Sequence, residues 1–306
     1  MTNTRIGIFA PAAQTAPLDL DRVAELGIDH VCVGDHVSFF IGAGTDGLIS
    51  ATALLAHPSA PRVYVGLYLL PLRHPVPVSR QLATIAEIAP GRLTLGVGIA
   101  GEDRHEVEIC GVDPATRGRR MNECMEILRG LASGEPYSFD GEFFSIADAL
   151  IVPAPSPPIP LIVGGRSDAA VRRAALLGDG WLGIWVSTRR YTAVVEQIAE
   201  LAAGAGRDAS AMDHAMNVWC GFADNGDDAR AALAEGMESF YRIPFENFER
   251  YSPYGTPADV AAFLAPYVEA GCSTFNVIPC CPDPDGAADA VGELRALLAS
   301  DQVALR

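Results

Sequence analysis

Short apolar runs alternate with longer amphipathic stretches along almost the whole chain. Eight runs read as strands: Ile6–Phe9, His30–Val33, Val63–Leu69, Leu93–Gly98, Leu161–Val163, Trp181–Trp185, Met216–Phe222 and Thr274–Ile278. They are nearly continuous in apolar character, the pattern of strands covered on both faces. Each is followed by a stretch of helical periodicity. Eight such units in 306 residues predict an α/β fold of the (β/α)8 TIM-barrel class. A doubly wound open sheet is the alternative.

A weak internal repeat supports the barrel. Glu25-Leu26-Gly27-Ile28-Asp29-His30 and Glu269-Ala270-Gly271-Cys272-Ser273-Thr274 each close a helix and open a strand. Ala89-Pro90-Gly91-Arg92 and Leu177-Gly178-Asp179-Gly180 are looser copies. In all four a glycine falls where a helix end favours a left-handed residue. The rhythm breaks twice within what reads as a single domain spanning 1–306. Residues 133–160, rich in proline and glycine, predict an insertion between strands 4 and 5, a hairpin with a proline-stiffened return. Residues 236–256 predict a long connection rich in aromatics. Either segment could cover the barrel mouth or serve as an oligomer contact.

Composition narrows the chemistry. All 22 basic residues are arginine, so reactions that need a lysine amine are excluded, including Schiff-base and pyridoxal-phosphate chemistry. A lysine-bearing phosphate loop is excluded too. The formal charge of −16 argues against nucleic acid or an anionic membrane as partner. An anionic ligand must then be held by arginine, backbone amides or a helix N-terminus. No apolar run approaches the ~20 residues of a membrane span, and the N-terminus leads straight into a strand, so a cytoplasmic location is expected. Seven cysteines without CxxC spacing fit a reducing compartment. No cluster has zinc-like spacing, so no metal is expected.

In a barrel the chemistry sits at the C-terminal ends of the strands. After strand 2 that rule selects Asp35 and His36. His36 could donate or accept a proton near neutral pH, or merely cap the loop. After strand 4 comes Gly96-Val97-Gly98-Ile99-Ala100-Gly101-Glu102, a literal G-x-G-x-x-G. Three strand–helix units precede it, so it is not placed like a dinucleotide fingerprint. Its small residues would still let backbone N–H groups approach a phosphate or flat ring. After strand 5, Gly164-Gly165-Arg166-Ser167 precedes a helix that Ser167 could cap, which is an anion site or an ordinary tight loop. Strand 8 ends in the adjacent thiols Cys280 and Cys281, packed or redox-active.

Taken in order, several segments resemble the bacterial luciferase-like superfamily of flavin and deazaflavin oxidoreductases. They are 27–36, 70–75, 91–98, 137–144, 162–165 and 178–181. The resemblance implies a barrel with a flavin or deazaflavin at its mouth, and a non-prolyl cis peptide backing the ring near Leu67–Tyr68. It implies phosphate contacts from Gly98, Ile99, Ala100 and Gly101 and from Gly164, Gly165, Arg166 and Ser167. Asp35-His36 matches a pair found in deazaflavin members, with His36 as acid/base and Asp35 on the ring's polar edge. Glu102 and Glu106 are secondary catalytic candidates. Coenzyme F-420 is the favoured cofactor. Reduced FMN, with a separate reductase as partner, is the alternative, and a homodimer acting on a small molecule is expected. A ligand-binding relative without catalysis and a phosphosugar isomerase are further readings. The glucose-6-phosphate branch of the family holds its substrate phosphate with lysines, which this chain lacks.

Overall fold

The computed structural model describes residues 4–10, 18–42, 44–101 and 103–304. Eight parallel strands close into a barrel: β1 (Arg5–Phe9), β2 (His30–Val33), β3 (Arg62–Tyr68), β4 (Leu93–Val97), β7 (Leu161–Gly164), β8 (Gly180–Gly183), β9 (Ala215–Phe222) and β11 (Thr274–Cys280). Pairing runs β11-β1-β2-β3-β4-β7-β8, and β9 joins both β8 and β11 to close the ring. The predicted strands all appear, with ends shifted by at most two residues. The closed ring excludes the open-sheet alternative.

The two interruptions resolve differently. The insertion is an antiparallel hairpin, β5 (Tyr137–Asp140) with β6 (Ser145–Ala149), as the sequence predicts. The second segment is partly helix: Gly226–Tyr241 forms one continuous helix, so the connection begins six residues later than expected. It continues as two 3-10 turns, Phe245–Asn247 and Glu249–Tyr251, and a short strand, β10 (Tyr254–Gly255). Leu233 and Met237 on that helix are buried, and its apolar stripe extends past Gly236. Gly27, Gly91 and Gly271 adopt positive φ as the repeat predicts. Gly178 does not, having φ −90°. Its Cα instead lies against Ala174 and Val163, where an added Cβ would come within 3.0 Å of both.

Alternation within each strand divides the core into two layers. Val63 and Val65 of β3 face the helices, while Tyr64 and Gly66 point into the barrel with Cys32, Ile162, Leu182 and Ala215. The interior also holds a directed polar chain. His30 Nε2 donates to Asn276 Oδ1 (2.6 Å), Asn276 Nδ2 to Asn217 Oδ1 (2.8 Å), and Asn217 Nδ2 to the Gly66 carbonyl (3.1 Å). Every member is satisfied, so burial costs little and the chain fixes which strands face each other. Its last acceptor belongs to the Gly66–Leu67 peptide, which is cis. The non-prolyl cis bond thus lies one residue earlier than expected. It falls inside a bulge, where the β3–β4 register shifts between Val65 and Tyr68.

Burial holds the His30 imidazole neutral, lowering its pKa to about 4. The unfolded chain takes up a proton near pH 6.5 that the folded chain refuses. Stability is therefore full above pH 6.5 and falls as the pH drops toward 4, by roughly 3 kcal/mol for this one group. Urea unfolding of wild type and His30→Asn at pH 7 and 4.5 checks this. The variant should show a shallower loss on acidification, and an equal loss would remove His30 as the cause.

Candidate functional site

The C-terminal ends of β2 and β3 and the start of the helix Gly47–Leu55 meet around the Asp35 carboxylate, which is 2% exposed. Arg73 forks onto it, Nη1 to Oδ2 at 2.6 Å and Nη2 to Oδ1 at 2.8 Å. Gly47 N and Leu69 N donate to the same two oxygens at 2.9 and 2.8 Å. A carboxylate has about four acceptor positions, and here all four are used inside the protein. Asp35 therefore does not reach out to a ring edge. It ties the loop after β2 to the end of β3 and to the helix Gly47–Leu55. Burial pushes its carboxyl upward, and Arg73 and the two amides pull against that. Arg73 itself lies over the Tyr68 ring at 4.4 Å. Tyr68 is thereby sealed into the core, and its side chain does not face the mouth either.

His36, the next residue, is partly exposed. Its Nδ1 lies 3.1 Å from Glu106 Oε2, and Glu106 is 1% exposed. The other Glu106 oxygen accepts from Val37 N (2.6 Å) and Ser38 N (2.9 Å). A carboxylate only accepts, so the shared proton resides on Nδ1, and Nε2 lies outside this contact. Glu106 is thus a positioning residue for His36, seventy positions away along the chain. It stands in the helix Arg104–Ile109, whose N-cap is Asp103. That helix starts after the glycine-rich stretch, which confirms that G-x-G-x-x-G opens no helix here. Glu102 lies outside the described residues.

The glycine positions divide into close packing and open space. A Cβ on Gly98 or Gly164 would meet the Leu67 side chain at 2.9 or 2.2 Å, so Leu67 is pressed between the two strand ends. A Cβ on Gly34 or Gly101 would meet nothing within 4 Å. The backbone at β2 and after β4 is therefore open to a flat ligand. Ile99 is half-buried. Ala100 is buried with Leu69, Val107 and Val112 and has φ +58°, so only its backbone can serve a ligand. Gly165 has φ +122°, and its carbonyl accepts from Trp181 Nε1 at 2.8 Å. Ser167 caps the helix Asp168–Leu177 through Ala170 N, as expected. Arg166 is exposed and stacks over Trp185 at 5.7 Å.

A belt of rings joins the two halves of the mouth. His36 stacks on Phe39 at 4.0 Å, and Phe39 meets Phe240 at 5.3 Å. Phe240 meets Trp219 and Tyr241 at 5.8 and 4.8 Å, and Tyr241 meets Trp185 at 4.8 Å. The aromatics at the end of the Gly226–Tyr241 helix thus turn onto the mouth. Burial pushes the Cys280 and Cys281 thiols up, to about 12 and about 11, which disfavours the thiolate at either. Arg73, Asn217, Asn276 and Phe240 fall within segments the sequence singles out, but none is given a role there. A polar residue inside an apolar strand run was the available signal for the two asparagines; for Phe240 it was the aromatic-rich segment 236–256.

The fold and mouth define a closed parallel barrel whose strand ends offer open backbone and an oriented histidine. The sequence model of the luciferase-like monooxygenase family matches residues 18–261. The chain belongs to that family. An uncharacterised protein of Mycobacterium tuberculosis is 45% identical over 113 residues, 37% of this chain and 38% of its own length. An F-420-dependent glucose-6-phosphate dehydrogenase of Beutenbergia cavernae is 36% identical over 189 residues, 58% of this chain and 56% of that one. The match therefore spans about two fifths to just over half of these curated relatives. Among solved structures, an F-420-dependent secondary alcohol dehydrogenase in complex with an F-420–acetone adduct superimposes with a TM-score of 0.85 at 23% identity, covering 97% of this chain and 99% of that one. At that identity the likeness shows the fold. No helix among the described residues is long and apolar enough to cross a membrane.

Replacing Arg73 with Ala leaves the buried Asp35 carboxylate without its counter-charge. The expected cost is about 3–5 kcal/mol, read as a lower urea midpoint. Arg73→Lys should recover only part of it, because the two-pronged contact is lost. A cost below about 1 kcal/mol for Arg73→Ala would mean that the pair does not hold the strand ends.

Proposed function

We propose that this chain is a deazaflavin-dependent oxidoreductase that moves a hydride between coenzyme F-420 and a small alcohol or carbonyl substrate. The observation that carries the reading is the His36–Glu106 pair. A buried carboxylate fixes one imidazole nitrogen and presents the other at a mouth whose neighbouring backbone is open. Relatives named as F-420-dependent enzymes support the cofactor choice.

The residues present fit such a cofactor. Gly34 and Gly101 leave backbone free for a flat ring, and Leu67 offers an apolar surface between Gly98 and Gly164. Gly164, Gly165 and Arg166, with the N-terminus of the helix that Ser167 caps, suit a phosphate without any lysine. The cofactor, when bound, supplies the hydride chemistry. His36 Nε2 supplies the proton partner, taking the hydroxyl proton in oxidation and returning it to the oxygen in reduction. Asp35 acts one step back, holding the loop that carries His36. The aromatic belt excludes water from this edge and presents an apolar wall to the substrate. The relatives named for glucose 6-phosphate raise that sugar phosphate as substrate. The lack of lysine speaks against it, since the family branch uses lysines for that phosphate. The proposal takes residues 1–306 as a single barrel domain forming a cytoplasmic homodimer. A reductase partner enters only if FMN is the cofactor.

Titration of the protein with F-420 and with FMN, followed by fluorescence and absorbance, tests the cofactor. Tight binding of FMN alone would reverse the choice. His36→Ala should lower turnover by ~10²–10⁴ with binding retained. Turnover near wild type would end the assignment. Glu106→Gln should keep the backbone contacts but donate to His36 Nδ1, moving the ring proton to Nε2. Nitrogen NMR of His36 should show that tautomer exchange, and the pH–rate profile should change with it.

A further inference from the structure

The helix Gly226–Tyr241 roofs part of the mouth rather than joining the outer ring. Side chains alternate along a strand, and Ala215 and Asn217 of β9 point into the barrel, so Trp219 and Gly221 take the same face nearer the mouth. Asn276 points inward from β11, and Ile278 and Cys280 follow it. The helix packs on these upper, inward positions. A Cβ on Gly221 would lie 3.0 Å from Leu233 Cβ, and one on Gly236 would lie 2.7 Å from Cys280 Sγ and 3.7 Å from the Trp219 ring. Glycine weakens a helix interior, and at Gly236 it lets the helix come down onto the strand ends. The last turn then reaches the opposite rim, where Phe240 meets Phe39 at 5.3 Å and His36 at 6.5 Å.

The lining under this roof is apolar. Ile278 lies beside Trp219, and the β1–β11 register puts Phe9 level with them. Phe9 packs on the interior cluster that includes Cys32 and Ile162, and all three lining residues are half-buried. They form a layer directly above the His30–Asn276–Asn217 chain, whose polar groups are engaged with one another and with the Gly66 carbonyl. Trp219 Nε1 donates to the Tyr241 hydroxyl at 3.2 Å, and Trp185 Nε1 is covered by protein atoms. A sugar or a phosphate brings oxygens that each need a partner on leaving water, and the rings of this wall supply none. An aromatic ligand instead brings rigid surface that packs edge or face against such rings.

We infer that the roofed chamber takes an uncharged aryl alcohol or the matching aryl ketone, and that Phe240 and Trp219 set this preference. The inference rests on the proposed hydride transfer and narrows its substrate. In oxidation the carbinol C–H bond breaks with its electron pair passing to oxidised F-420. The hydroxyl proton passes to His36 Nε2 as the carbonyl double bond forms. The alcohol is oxidised and F-420 is reduced.

The experiment compares three reductants of F-420 by kcat/KM: the secondary alcohol of acetophenone, isopropanol and glucose 6-phosphate. The proteins are wild type, Phe240→Ala, Phe240→Tyr and Trp219→Leu. Calorimetry also measures acetophenone binding in the presence of oxidised F-420, a pair that cannot react. Wild type should favour the aryl alcohol over isopropanol roughly 10- to 100-fold and leave glucose 6-phosphate unused. Phe240→Ala should shrink that ratio roughly 5- to 20-fold and weaken acetophenone binding, and Phe240→Tyr should restore most of both. A general folding defect would lower both alcohols alike and leave the ratio where it was. A wild-type ratio near one, glucose 6-phosphate as the best reductant, or a ratio unmoved by Phe240→Ala and Trp219→Leu would each overturn the inference and leave the cofactor reading standing. Failure of wild type to bind F-420 would sink both.

Discussion

The mouth of the barrel depends on one buried ion pair. Asp35 and Arg73 bring together the end of β2, the end of β3 and the start of the Gly47–Leu55 helix. Taking two charges out of water is costly, and the cost is met only because every acceptor position of the carboxylate is filled. The geometry of His36 follows, since it is the next residue on the loop that Asp35 fixes. A substitution at Arg73 would therefore reach His36, the proposed proton partner, without touching it.

Beneath that joint a second constraint operates inside the barrel. The chain from His30 through Asn276 and Asn217 to the Gly66 carbonyl crosses from β2 to β11, β9 and β3. Apolar side chains could fill the same space, but they would not specify where the cis peptide carbonyl points. The directed donors do, and they hold the bulge that places Leu67 between Gly98 and Gly164. A Cβ on Gly66 would be tight there, 3.1 Å from Cys32 Sγ. Packing and hydrogen bonding thus converge on the surface that would back a cofactor ring.

Electrostatics divides the work between the two sides of the mouth. On the β2–β4 side the Asp35–Arg73 charges are paired and buried, so they organise structure around His36, the proposed proton partner. On the β7–β8 side the arginines are exposed and oriented by helix starts, so they are available to an anion. A protein without lysine has only this second kind of site for recognising phosphate or carboxylate, and its acidic surface elsewhere keeps such ligands from binding at random.

The sequence by itself determined the barrel and most of its strand boundaries, because alternation of apolar runs with helical stretches is a local property of side chains. Position at strand ends was also local, and it selected Asp35, His36 and the glycine turns. What those residues do was not local. Asp35 carried the same signal as a ligand-binding carboxylate, and only its contact with Arg73, thirty-eight positions away, turns it into a structural joint. Glu106 stood only as a secondary candidate in the sequence, and the closure of the barrel is what places it on His36. The helix that runs through Gly236 was read as a loop because one glycine weakens a helical pattern, whereas burial of Leu233 and Met237 outweighs that cost. Tertiary structure decided pairing, orientation and exposure, since each depends on which distant side chains fill the space around a group rather than on its own identity.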